Sequence, residues 1–350
     1  MRQNTIFGLT AAAGLGAVLA IAAVFTQPRV ETAAGNGQPV FPGLIDKVQA
    51  NLKSVVIRHA GGTISLDRDG NVFHYRERAN YPADGQKVVD LVVDIARLTK
   101  LESKTSQPER YARLDLQDPT EKGSNAKQVT LLDTNGKEMA TLIVGKRKYT
   151  LGGKEGGTYI RLPGDAQTWL ALGEVNPGVA PRDWIAKDVM DVPDAAVKRV
   201  TVTTPKGERV IAARGADEKF VIENLPKNVS LESEFTAEEY GRILAGLQAE
   251  DVAPADQVSF PKDKTYTTVV ETVEGSTITV DMTDVNEQQS WIRVSAAPAP
   301  GLNAESSAAK AMAGINARGQ GRVFQIPAYK TAIMKRTLAD LRSKPEQARK

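Results

Sequence analysis

The chain has 350 residues, 41% hydrophobic and 25% charged, a globular composition long enough for two ordinary domains. Its 45 basic and 42 acidic residues are interspersed and leave a formal charge of +3, so no basic block points to nucleic acid. Cysteine is absent, which excludes disulfides, thiolate metal sites, a cysteine nucleophile and a lipoprotein-type lipid anchor.

Ile6 to Phe25 is an uncharged run of twenty residues. As a helix it would be about 30 Å long, the thickness of a bilayer core. Arg2 precedes it, and Gln27-Pro28-Arg29 end it. A cleaved signal peptide has a shorter apolar core, about 7–15 residues, and a small-residue cleavage site. Val24-Phe25-Thr26 does not supply that site. The expectation is a transmembrane anchor over 1–27, with the bulk of the chain on the periplasmic side of a bacterial inner membrane. Residues 28–43, with Gly, Asn, Gln and Pro, read as a linker.

A first unit is expected over 44–175. Ser54 to His59 is a β-branched run, Gly61-Gly62 a turn and Thr63 to Leu66 a second strand. Asp69-Gly70 is a hairpin turn into Val72 to Tyr75. Pro82 and Asp84 introduce a helix over Ala83 to Leu98 with apolar residues at helical spacing. Gln128 to Leu132, Asn135-Gly136 and Met139 to Val144 form another hairpin, and Thr158 to Leu162 closes the unit. Residues 176–190 are a connector.

A second unit over 191–343 repeats the order. Val200 and Val202 stand 145 positions after Val55 and Ile57. Tyr240, Ile243, Leu244 and Leu247 stand 152 positions after Val88, Leu91, Val92 and Ile95, behind a Thr236/Glu239 capping box. Gly275 stands 139 positions after Gly136, in the turn between Thr267–Glu271 and Thr277–Asp281. Such matches at drifting offsets predict an internal repeat with loop insertions. Ala296 to Gly321 is read as a mobile surface loop, Arg322 to Ile326 as a last strand, and Pro327 to Ser343 as a C-terminal helix. Residues 344–350 are a solvated tail. The fold class expected is thus α+β: an N-terminal transmembrane helix, then two tandem, mainly antiparallel sheet-plus-helix repeats.

Five dispersed segments resemble one uncharacterised bacterial family, domain of unknown function 4340. They are Phe41-Pro42-Gly43-Leu44, Tyr81-Pro82-Ala83-Asp84, Lys104-Thr105 with Pro108-Glu109-Arg110-Tyr111, Leu142-Ile143-Val144-Gly145-Lys146, and Ile326-Pro327-Ala328-Tyr329-Lys330. Family proteins are often encoded beside an ABC-type exporter permease, its ATPase and a gliding-type auxiliary subunit. The resemblance therefore implies an extracytoplasmic accessory of an inner-membrane transport complex. It supplies no catalytic residue.

Chemistry is sparse. His59 and His74 lack companion ligands at metal-binding spacing, and no histidine stands in a triad context. Gly152 to Gly157 lacks the phosphate-loop order and precedes a strand, so it reads as a hairpin tip. Asp115 and Asp118 could pair, but Asp118-Pro119 is a turn signal. Pro108 to Tyr111 and Pro181 to Trp184 read as proline-led turns whose aromatics pin connectors. Tyr159 with Arg161, and Trp291 with Arg293, each share one strand face and form the candidate interface, if those faces are open. The competing reading has the aromatics in the core and the arginines shielding its edge. No cofactor, metal or catalytic set is expected. The leading expectation is a non-enzymatic periplasmic accessory subunit that docks an ABC-type permease and its auxiliary subunit. The alternative is a module binding a lipid, glycan or peptide between the two repeats.

Overall fold

A computed structural model describes residues 37–149, 151, 156–227, 229–233, 235–287 and 289–343. The break between two compact units falls between Ala186 and Lys187.

The first unit opens on helix α1 (Leu44–Asn51), then strands β1 (Leu52–His59), β2 (Gly62–Asp69), β3 (Val72–Tyr75) and β4 (Tyr81–Pro82). Helix α2 (Gly85–Arg97) follows, capped by the Asp84 carboxylate, which accepts from Lys87 N at 3.3 Å. Then come β5 (Thr99–Ser103), β6 (Lys127–Asp133), β7 (Glu138–Lys148), β8 (Gly157–Arg161) and β9 (Thr168–Leu172). All pair antiparallel in the order β4-β3-β2-β1-β6-β7-β8-β9-β5. Alternation puts Val55, Ile57, Leu66, Leu131, Leu142 and Ile160 in the core, each at most 1% exposed or fully buried. Val88, Leu91, Val92 and Ile95 of α2 are buried as the stripe predicts. Each such side chain contributes about 1.5–3 kcal/mol of burial.

The second unit holds β10 (Asp188–Met190), β11 (Val197–Thr203), β12 (Arg209–Arg214), β13 (Phe220–Ile222), the short helix α3 (Glu238–Gly241), β14 (Leu247–Gln248), β15 (Asp251–Pro254), β16 (Tyr266–Thr272), β17 (Thr277–Asn286), β18 (Gln289–Ala297), helix α4 (Ser307–Gly319), β19 (Arg322–Ile326) and helix α5 (Ala328–Lys335). Its large sheet runs β13-β12-β11-β16-β17-β18-β19-β15, and β10 pairs with β14 apart from it. From β3 to β5 in one unit and from β13 to β15 in the other, the strand connections follow the same path. The Asn135-Gly136 and Glu274-Gly275 turns join corresponding hairpins, and both glycines have positive φ, 76° and 83°.

The expected fold class needs correction. The described residues form mostly antiparallel sheets with few helices. Among them no helix is long and apolar enough to cross a membrane, so a transmembrane helix is not shown. The run Ile6 to Phe25 lies outside the described residues, as do residues 152–155 of the glycine-rich segment and the 344–350 tail.

The second sheet-covering helix is also not the counterpart of the first. Helix α2 has thirteen residues, whereas α3 has four. Beyond it, Ile243 N bonds to Tyr240 O and Ala245 N to Arg242 O, a three-residue spacing. Such turns keep Tyr240, Ile243 and Leu244 buried without an α-helix. Gly246, at φ 53°, ends the turns, and Leu247 is drawn into pairing with β10. No side-chain cap forms ahead of α3; the Glu238 carboxylate instead accepts from Phe220 N on β13.

Half of the expected loop over 296–321 is helix α4. Ser306 Oγ caps it by accepting from Ala309 N, and Met312 and Ile315 are buried. Asn316 clasps Ala296 on β18 through both its amide nitrogen and oxygen, 2.8 Å each. The C-terminal helix stops at Lys335, where Thr337 and Asp340 form a turn.

Candidate functional site

The two aromatic–arginine pairs lie on β8 and β18. Tyr159 is half-buried against the cluster of Tyr111, Leu116, Ala126 and Ile143. The Arg161 guanidinium stacks over Tyr111 at 4.7 Å and donates to Leu116 O at 3.2 Å. Trp291 is 8% exposed. The Arg293 guanidinium grips Asp281 through two nitrogens at 2.9 Å and stacks over Phe260 at 4.9 Å. Tyr111 lies between β5 and β6, and Phe260 between β15 and β16. Both arginines therefore hold the same kind of connector onto the sheet through a cation–π contact.

The proline-led turns use their aromatics similarly. Tyr111 Oη donates to Ala166 O at 2.6 Å, and Trp184 Nε1 donates to Gly178 O at 2.9 Å. Asp118 is bound to the Thr120 amide and hydroxyl at 2.8 Å; those hydrogen bonds hold its carboxyl below the usual range. Asp115 has φ 55° and meets Asn125 Nδ2 at 3.5 Å.

The histidines do not converge. His74 pairs across β3 with Asp67, which pairs with Ser54 on β1, five residues from His59. Two strand spacings and five residues separate them by roughly 19 Å. Among the described residues no group of three or more His, Asp or Glu could hold a metal ion.

A feature not anticipated from sequence is an open cleft of about 440 Å³ in the first unit. It forms where β1 ends, β6 begins and β7 runs on past them. Arg58 pairs with Gln128, which sets Lys127 beside His59 at the strand ends. Lys146 and Arg147 enter from the β7 extension, where the β7–β8 register shifts between Val144 and Arg147. Gly145 lets the 114–116 connector close in: a Cβ there would lie 2.2 Å from Leu114 O. Lys127, Lys146 and Arg147 outnumber Asp115 among the described charged lining residues, so the cleft is cationic. Burial, and then the Lys127 ammonium, hold the His59 pKa below its ordinary 6.5.

The other distinctive surfaces are sheet edges. Strand β5 ends one sheet and β13 the other. Leu101 on β5 is 45% exposed and Val221 on β13 is 49% exposed. Residues 38–40 cover only the start of β5, through Lys100 N to Gln38 O and a Pro39–Thr99 bridge.

No curated protein and no solved structure gives a match to this chain. A family model described as a domain of unknown function, DUF4340, matches residues 74–267, from β3 through the start of β16. That match takes in more than half of the chain and parts of both units, so the protein belongs to the DUF4340 family.

Proposed function

We propose that this protein is a non-enzymatic accessory subunit of an ABC-type transport complex, working on the periplasmic side of the inner membrane by protein–protein docking. The observation that carries the reading is the pair of sheet-edge strands, β5 and β13, each with a large apolar side chain in solvent. Edge strands offer unpaired backbone groups, and natural proteins commonly guard them with charge. Leu101, between Lys100 and Glu102 at a register shift of β5, and Val221, in the middle of β13, put an apolar side chain into that edge. The occupant is an extended segment of a transporter subunit, added as a further strand with an apolar side chain against Leu101 or Val221. The family resemblance implies the transport setting, and a chain without cysteine suits an oxidising compartment.

The test is affinity purification from gently solubilised membranes, comparing wild type with a Leu101→Lys, Val221→Lys variant. A permease, ATPase or auxiliary subunit of one ABC-type system should co-purify with wild type and fall at least tenfold with the variant. Equal recovery with both proteins, or no transporter subunit with wild type, refutes the proposal.

A further inference from the structure

We infer that the cationic cleft of the first unit binds a phosphate group, held by Lys127, Lys146 and His59 with Asn125 beside them. This inference is independent of the docking reading, because it concerns a different surface of that unit. Several observations carry it. The cleft, at about 440 Å³, falls in the size range of small-molecule sites. Its described charged lining is three cations against the single carboxylate of Asp115. Those cations are not equally available. One Arg147 terminal nitrogen is ion-paired with Glu174, and its guanidinium stacks on Tyr149 at 4.9 Å. The Glu174 carboxylate thus offsets the Arg147 charge, and Arg147 Nε is buried with no hydrogen-bond partner among the described residues, so this guanidinium is the least open of the three cations to a ligand in the cleft.

The remaining donors are of another kind. Lys146 Nζ gives one hydrogen to Arg113 O at 2.9 Å, which fixes the ammonium and leaves two N–H groups. Gly61 N donates to His59 Nδ1 at 3.1 Å, so the neutral ring carries its proton on Nε2 as a donor. Point-charge ammonium groups with neutral N–H donors suit the three acceptor oxygens of a phosphate monoester. Tyr149, 70% exposed at the rim, offers an aromatic face to the rest of the ligand.

The chain has only two histidines, which makes His59 a built-in reporter. Full-length protein is titrated with inorganic phosphate and then with glycerol 3-phosphate, at constant ionic strength set with chloride. The two ring resonances are followed by NMR and assigned with His74→Asn. Phosphate should move the His59 resonance saturably, leave that of His74 in place, and raise the His59 midpoint, since an anion favours the imidazolium. Lys127→Gln with Lys146→Gln should weaken the response at least tenfold, and Lys127→Arg with Lys146→Arg should retain it. Flotation with phosphatidic acid vesicles, against phosphatidylglycerol vesicles of the same charge, separates a lipid phosphomonoester from a soluble phosphate. Saturable response to either source supports the site. A linear, unsaturated shift with both soluble probes and no vesicle binding overturns it, as does an unchanged response in a folded glutamine variant.

Discussion

Gly145→Ala tests how closely the 114–116 connector is seated. Glycine here is a matter of space. A methyl group at this position would stand 2.2 Å from Leu114 O, and 2.9 Å from both Asp115 O and Leu116 Cδ2. Backbone atoms cannot rotate aside as a side-chain tip can, so the connector must move by about 1 Å to restore normal contact. It is not free to do so. Leu116 is fully buried, Lys146 donates to Arg113 O, and Arg161 donates to Leu116 O. Overpacking of this sort costs about 1–3 kcal/mol. With a urea dependence of about 2 kcal/mol per molar for a unit this size, a 2 kcal/mol loss lowers the midpoint by about 1 M. The assay is urea unfolding followed by tryptophan fluorescence. Of the three tryptophans, Trp169 and Trp184 lie in the first unit, so a Trp291→Phe background confines the signal to it. A midpoint within about 0.2 M of the parent would refute the reasoning, because the penalty of overpacking would be missing.

Other outcomes follow from single side chains. Tyr240 Oη is buried with no hydrogen-bond partner among the described residues, so Tyr240→Phe should leave second-unit stability unchanged or raise it by about 1 kcal/mol in denaturant unfolding. Phe324 is fully buried on β19, and Phe324→Ala should cost about 3–5 kcal/mol in the same assay. His59 has a folded pKa below 6.5, so between the two values the unfolded chain holds more protons. Its contribution is therefore present above pH 6.5 and lost as pH falls through the folded value. Unfolding midpoints from pH 7.5 to 5 should fall less steeply for His59→Asn than for wild type.

What the sequence revealed, and what it hid, follows from where the physical signal is strong. The hairpins around Asp69-Gly70, Asn135-Gly136 and Glu274-Gly275 were legible because alternation and turn chemistry agree there. The helix over 83–98 was legible because stripe and cap coincide. The match of Tyr240, Ile243, Leu244 and Leu247 to that stripe misled in one respect. Buried residues three and four apart also suit consecutive three-residue turns, and periodicity does not separate the two. The alanine-rich run of α4 reads as a loop by its flanking glycines and prolines, although alanine favours helix and Ser306 supplies a cap. Strands β5 and β15 were missed because edge strands such as Thr-Lys-Leu-Glu-Ser and Asp-Val-Ala-Pro lack a buried alternation. The cleft was invisible for a different reason. His59, Lys127 and Lys146 come from three strands, and only the β1–β6–β7 register brings them together.

The docking account is tested most directly by site-specific photo-crosslinking in intact cells, with a photoreactive residue in place of Leu101 or of Val221. The account predicts a crosslink from at least one of these edges to a permease, ATPase or auxiliary subunit of an ABC-type transporter, and none from an exposed control position such as Glu305. Crosslinks from neither edge, with the protein folded and present at normal levels, would contradict it.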